Sequence, residues 1–481
     1  MARYDSVVTG GTLIIPHVGE IRADVGIRAG RIAALVDPGD LGPADADVRI
    51  DAAGKVVLPG AVDAHYHLGI YRSLSEDAET ETTSSLIGGV TTVLSYFRTG
   101  SHYLEKSGPY KEVLPEVFDA LEGHAKVDYG LHVAPITREH VDEIPWLVSE
   151  MGIASFKYFM FYKGFNLASS SRDTRSFLMS DDDYDLGHLF EIMEAVEVAN
   201  ALTGSRISVS LHCEQAELMR VFIERAQANK DLSGLREYSA GRPPLTERLS
   251  IEEAGVLASA TGVAVNFLHL SSELALATAV DVAGRYPALD ARREVTLHHL
   301  ALACEDLEGK GLGAKVNPPI RDRSDNEALW AGLARGEVSW VASDHACCME
   351  EHKGDDLWPA WPGFGGTALL YPVLLSEGHH KRKLPLDRIA QVASSAPAQA
   401  YGLYGRKGTI AVGADADLAV VDLDLTRTVT PELCRSAQDH CPFEGVEVQG
   451  WPVTTVVRGH VMFDGDEVAD TFPGTYQRRV D

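Results

Sequence analysis

The stretch GAVDAHYHLG, residues 60–69, sets two histidines one residue apart at the end of an apolar run. In an extended chain successive side chains alternate faces, so His65 and His67 point one way and Tyr66 the other. Two imidazoles on one face suit a pair of metal ligands, although two ordinary histidines near a strand end give the same pattern. Other polar residues stand in comparable places. Lys157 lies within the apolar ASFKYFMFYKG, His212 closes the apolar run of SVSLHCE, His269 that of VNFLHLSS, and Asp344 that of SWVASDHACC. Each has a plainer reading when taken alone. A strand-end histidine can be a satisfied polar group, a lysine can snorkel or pair with an acid, and an aspartate can cap the following helix.

Taken together they describe a metal site. Neutral imidazoles with oxygen donors suit zinc or a similar first-row divalent ion. An ammonium cannot ligate a cation, so Lys157 needs its own explanation. Burial and nearby positive charge lower a lysine pKa, and the free amine reacts with carbon dioxide. The resulting carbamate offers one oxygen to each of two metals. A pair bridged in this way holds a hydroxide at neutral pH and polarises a carbonyl. Asp344 would hold one metal and carry the nucleophile's proton to a leaving nitrogen.

The elements that must position these groups follow from periodicity. Short apolar runs at 56–63, 90–96, 129–134, 153–160, 207–212, 263–269, 294–298 and 338–344 alternate with stretches such as LGHLFEIMEAVEVANAL and SELALATAVDVAGRY, whose apolar residues recur at helical spacing. Strand–helix alternation repeated eight times is the pattern of an α/β fold of the (β/α)8 TIM-barrel type, in which chemistry sits at the C-terminal strand ends. Five of the eight runs would then aim a polar side chain at one mouth, which chance does not readily produce. Both chain ends have a different texture, short β-type runs punctuated by Gly and Asp. The expected organisation is residues 1–55 and 406–481 forming a small β-sandwich from both termini, around a catalytic barrel of 56–405.

Composition excludes several classes. With 481 residues and a formal charge of −27, the chain is not expected to bind nucleic acid or an anionic membrane through general electrostatics. The N-terminus lacks the apolar core of a signal peptide, and no stretch approaches the length of a membrane span. Six cysteines without a CxxC pair fit a reduced, cytoplasmic protein.

With these residues assembled, the chain resembles the amidohydrolase superfamily, and within it the cyclic amidohydrolases: dihydropyrimidinases (hydantoinases), allantoinases and dihydroorotases. VVLPGAVDAHYHL, SFKYFMFYKG, LHCEQ, FLHLSS, KVNPPIRDRSDNEALW, SDHA and KGTIAVGADADLAVVD carry the resemblance. It implies that His65 and His67 hold a more buried metal, that His212 and His269 hold a more exposed one, and that carbamylated Lys157 bridges them. Asp344 is then both a ligand and the catalytic acid–base. Tyr162, five residues after the lysine, would donate to the developing oxyanion, unless it is a plain loop aromatic. Asn317 and Gly363 would contact the substrate, although Asn317 also reads as a turn ahead of Pro318 and Pro319. The implied cofactors are two divalent ions, zinc first with manganese, cobalt or iron as alternatives, and the carbamate derived from carbon dioxide. The implied partners are a small cyclic amide and further copies of the chain, as homodimer or homotetramer.

The implied reaction is opening of a hydantoin, dihydropyrimidine or cyclic-imide-like ring by a hydroxide that bridges the metals. Hydrolysis of an allantoin-like ureide or a lactone on the same site is an alternative. A non-enzymatic dihydropyrimidinase-like scaffold is disfavoured because all six ligand positions are filled. Some positions depart from the pattern. Gly69 stands where dihydroorotases have arginine, allantoinases asparagine and hydantoinases often an acid, with Arg72 nearby as a possible substitute. Pro362 replaces the hydantoinase asparagine before glycine, and Ala368 a glutamate. His298 and His299 are expected to be structural, His345 to face away from the metals, and Cys347 and Cys348 to pack. The acid run SEDAETETT is expected to be a solvated loop entering the helix after strand one.

Overall fold

Most of these apolar runs become strands of one parallel sheet in a computed structural model, which describes residues 3–100, 103, 106–162 and 184–480. The barrel strands are β1 (Ala61–His67), β2 (Val90–Phe97), β3 (Asp128–Val133), β4 (Ser155–Phe159), β5 (Ser208–His212), β6 (Ala264–Phe267), β7 (Ala291–Thr296) and β8 (Trp340–Ala342). They pair in chain order, each parallel to the next. Most are buried along their length, because barrel packing covers one face and helices the other.

The ring closes through a broken strand. Trp340–Ala342 pairs with β7, while His345 and Ala346 pair with Tyr66 and His67 of β1. Between the two halves Asp344 takes φ +51°, a left-handed conformation that cannot continue a strand and that aspartate tolerates better than most residues. The break therefore turns the Asp344 side chain out of the ladder at the end where the histidines emerge.

Three expectations change at the edges of elements. The run 56–63 divides at Gly60. Val56–Pro59 belongs to a second sheet, paired with Leu418–Thr428 and Thr12–Ile15, and β1 starts afresh at Ala61. A Cβ on Gly60 would sit 2.1 Å from Thr91 Oγ1, so the chain passes there only without a side chain. The run 294–298 ends as a strand at Thr296, and Leu297–Ala301 is helical. SEDAETETT is not a solvated loop but most of helix α1 (Leu74–Ile87), capped by Ser73, with Asp77 and Glu81 buried on its inner side. Partners from elsewhere in the fold account for that burial. Asp77 accepts from the Gly69 N–H at 2.8 Å and from Arg72 at 3.0 Å. Glu81 accepts from Ala437 N–H at 3.0 Å and contacts His345 Nε2 at 2.8 Å.

Both chain ends build the smaller sheets. Tyr4–Thr9, Asp24–Arg28, Arg31–Val36 and Ala46–Asp51 form one, and the other combines Thr12–Ile15, Gly19–Arg22 and Val56–Pro59 with Leu418–Thr428, Glu447–Val457 and His460–Phe463. Val8, Leu13, Val25, Val57, Leu418 and Val456 share the apolar core between them. Buried Lys407 ties this unit to the barrel, pairing with Asp128 of β3, with Asp415 at 3.0 Å and with Asp417 at 2.6 Å. Among the described residues no helix is long and apolar enough to cross a membrane.

Candidate metal centre

The strand ends bring His65, His67, Lys157, His212, His269 and Asp344 into the lining of one cavity, which measures about 710 Å³ out to its open mouth. Alternation along β1 does what the HxH spacing requires. His65 and His67 face the cavity with ring centroids 5.4 Å apart, while Tyr66 turns outward to donate to the Glu81 carbonyl of α1 at 2.8 Å. Asp344 Oδ1 lies 3.2 Å from both His65 Nε2 and His67 Nε2. The His212 and His269 rings stand 4.3 Å apart, and His269 is 5.3 Å from His65.

The outward nitrogens are fixed by other groups. His65 Nδ1 lies 2.6 Å from Glu294, His67 Nδ1 lies 2.9 Å from the Tyr103 hydroxyl, and His212 Nε2 lies 2.6 Å from Glu214. A carboxylate or hydroxyl on one ring nitrogen sets the tautomer and leaves the other nitrogen for a ligand. Buried His269 Nδ1 finds no hydrogen-bond partner among the described residues. Burial holds His65 and His269 well below the usual histidine range, lowers His67, and brings His212 down to about 4. All four are therefore neutral, as ligation demands.

Lys157 Nζ sits 4.3 Å from the centre of the Tyr96 ring, and burial pushes its amine down to about 8. Burial works to raise the Asp344 carboxyl, but His65, the His67 hydrogen bond and Lys157 outweigh it and hold it at about 2. His65, His67 and Asp344 place their ligand atoms within 4.8 Å of one another. Neutral imidazoles, an ionised carboxylate and an orphaned buried nitrogen fit divalent metal.

The substrate-facing residues are placed less uniformly. Tyr162 lines the cavity, its ring stacked 4.6 Å from Phe159; burial raises its phenol, and Arg98 opposes that as charge and hydrogen-bond partner. Asn317 also lines it, with Oδ1 accepting from the Tyr238 hydroxyl at 2.5 Å. Gly363 reaches the wall with its backbone groups already engaged: its N–H donates to the Lys315 carbonyl at 2.9 Å, and its carbonyl accepts from Lys353. Pro362 supplies a carbonyl, but Tyr71 donates to it at 2.6 Å.

Gly69 adopts φ +74°, and a Cβ there would meet Leu74 at 3.0 Å, so the larger side chains of the resembled families would be strained on this backbone. Arg72 does not take their place, because it is bound to Asp77 and Thr80. His298 and His299 bond to Thr296, and His345 stacks on Tyr66 behind β1; Cys347 and Cys348 are buried outside the cavity lining.

Several contributors escaped the sequence reading. Arg98, just past β2, lines the cavity beside Tyr103. Glu214 holds His212 and is itself gripped by Arg242, at 2.9 Å through Nε. Glu294 does most. It contacts His65, accepts from the His269 backbone N–H at 3.1 Å, and accepts from Trp340 Nε1 at 2.8 Å, joining β1, β6 and β8 from β7. Two signals were present: an acid within an apolar barrel run, and an acid two residues beyond a strand-end histidine. Glu294→Gln is expected to weaken metal binding by about 10- to 100-fold, the usual effect of losing a partner of this kind. Competition with a chromogenic chelator measures it, and an unchanged affinity would remove Glu294 from this role.

A model of the amidohydrolase family matches residues 56–462. Allantoinase of Rubrobacter xylanophilus is 32% identical over 485 residues, covering 99% of this chain and 98% of its own. D-hydantoinase of Ralstonia pickettii is 28% identical over 487 residues and 99% of each chain. Among solved structures, a D-hydantoinase superposes with a TM-score of 0.86 at 26% identity over 99% of each chain. L-hydantoinase (dihydropyrimidinase) from Arthrobacter aurescens superposes with a TM-score of 0.86 at 27% identity, covering 98% of this chain and 99% of its own.

Proposed function

The chain belongs to the amidohydrolase family, and from that premise we propose that it is a metal-dependent hydrolase that opens a cyclic amide of the hydantoin or dihydropyrimidine class. One observation carries this reading: four neutral imidazoles, a lysine and an ionised aspartate from five strand ends face one cavity. His65, His67 and Asp344 would hold one divalent ion, His212 and His269 a second, with Lys157 bridging them as its carbamate. Such a pair, when bound, acidifies water and polarises a carbonyl.

The protein's own groups supply the rest. Asp344, ionised across the neutral range, takes a proton from the attacking water and delivers it to the departing ring nitrogen. Tyr162 donates its phenolic O–H to the oxygen on which charge develops, the more effectively for being held in a buried site. Asn317 has its Oδ1 engaged by Tyr238, so its NH2 is what it can offer to a ring carbonyl. Ile70, Tyr71, Phe159 and Phe161 give the cavity an apolar side suited to a flat ring or its substituent. The product is the ring-opened acid.

A second reading has its own support, since relatives at 31–32% identity include allantoinases from four organisms. The test is a panel of hydantoin, 5-substituted hydantoins, dihydrouracil and allantoin, offered to protein reloaded with zinc, manganese or cobalt in bicarbonate. Opening of hydantoins or dihydrouracil is expected to exceed that of allantoin. The reverse order would favour the ureide, and no opening of any ring by metal-replete protein would overturn both.

A further inference from the structure

Two buried lysines stand behind the cavity wall that follows the broken eighth strand. Lys315 and Lys353 are 0% and 3% exposed. Lys315 Nζ lies 2.8 Å from the carbonyl oxygen of Leu357, 3.0 Å from that of Trp358 and 2.5 Å from that of Ala360, so its hydrogen bonding is spent on one short stretch of backbone. Lys353 Nζ donates to the Lys315 carbonyl at 3.1 Å and to that of Gly363. Gly363 N–H closes the link by donating to the same Lys315 carbonyl at 2.9 Å. Residues 353–363 are thus folded back onto the segment that leads into Asn317.

This arrangement is costly in itself. Burial, with the second ammonium nearby, pushes Lys315 down to about 6, and burial pushes Lys353 down to about 8. Apolar side chains of similar volume would fill such space at less cost, so two nitrogen-ended side chains kept there, each bound to more than one backbone carbonyl, point to a demand for one particular arrangement. The network shows what would be arranged. Lys315 Nζ lies 4.6 Å from the centre of the Tyr238 ring; Tyr238 donates to Asn317 at 2.5 Å and accepts from Arg242 at 3.2 Å. Arg242 grips Glu214, the partner of His212. From the cavity side Tyr71 donates to the Pro362 carbonyl at 2.6 Å. Wall, Asn317 and the His212 side of the centre therefore share one set of contacts.

We propose that Lys315 and Lys353 are positioning residues, which set residues 353–363 against Asn317 and so fix the substrate-facing wall. The proposal rests on reading this cavity as the ring-binding site. It makes the Pro362–Gly363 turn a surface held in place from within the protein, with its carbonyls and the Gly363 N–H each bonded to a neighbouring group.

Native-state hydrogen exchange of the metal-loaded wild type is the first test. Peptides spanning 357–366, although irregular, should exchange at least about tenfold more slowly than an open loop. In Lys353→Met the same peptides should exchange about tenfold faster, with those of β1 and β5 unmoved, and KM for the best ring should rise about tenfold while kcat stays within about threefold. Open-loop exchange in the wild type overturns the proposal without any variant, so a Lys353→Met protein that fails to fold does not shelter it. Unchanged exchange in the variant, or a fall in kcat at constant KM, also overturns it. If no ring is opened at all, the functional reading fails while the exchange result still decides the clamp.

Discussion

Asp344→Asn is expected to lower kcat for ring opening by about 10³-fold or more, the range lost when a proton-transferring side chain is removed. The asparagine keeps the shape but can neither take a proton from water nor carry it to nitrogen. Asp344 Oδ1 is also the atom 3.2 Å from both His65 and His67, so part of the loss should appear as weaker metal binding at that pair. Metal analysis alongside kcat separates the two parts. More than a tenth of wild-type kcat at full metal content would sink the assignment.

The same carboxyl gives a pH signature in metal-free protein. It is held at about 2, below the ordinary aspartate value, so its linked stability is present above about pH 4. That stability is lost as pH falls through about 2.

The second large effect concerns Lys157. As an ammonium it works against the site, since the positive charge that helps lower His65, His67, His212 and His269 also repels a metal ion placed among them. Conversion to a carbamate reverses the sign of that charge and supplies two oxygens. Metal-free protein is therefore expected to take up about two ions per chain in bicarbonate and well under one in carbonate-free buffer. Carbamate formation needs the free amine, and burial holds Lys157 at about 8. At a constant concentration of dissolved carbon dioxide the loading rate should accordingly climb from about pH 7 to about pH 9 and then level off. Lys157→Met should fail to load and to open rings whether or not bicarbonate is present. Metal content by plasma emission and the mass of the intact chain check this together. Full loading without carbonate, or an active Lys157→Met, would remove the bridging role.

The features legible in the sequence are those governed by local geometry. His65 and His67 share a face because strands repeat every two residues, and the same rule sends Tyr66 and His345 behind the sheet. The other cavity groups were legible because a polar side chain closing or interrupting an apolar run is conspicuous. Contacts made from far along the chain left no local trace. Glu81 reads as solvated because His345 and Ala437 are joined to it only by the fold, whereas Asp77 is held by Gly69 and Arg72, close by in the chain but bent back onto it by the turn before α1. Glu294 heads an apolar run in plain view, but its contacts with His65, His269 and Trp340 come from other strands and leave no mark on that run. The division of the 56–63 run was hidden for another reason. Apolar residues continue on both sides of Gly60, and periodicity does not mark a change of sheet.

That division has a consequence for how the molecule could be cut down or rebuilt. Gly60 alone separates a strand of the terminal sheet from the strand that carries the HxH pair. The strand before it is stitched to Leu418–Thr428, which lies far along the chain. The small sheet is therefore not an appendage that trimming could discard to leave a minimal barrel. It anchors the start of β1, and a shortened chain would free the strand that carries the first two histidines.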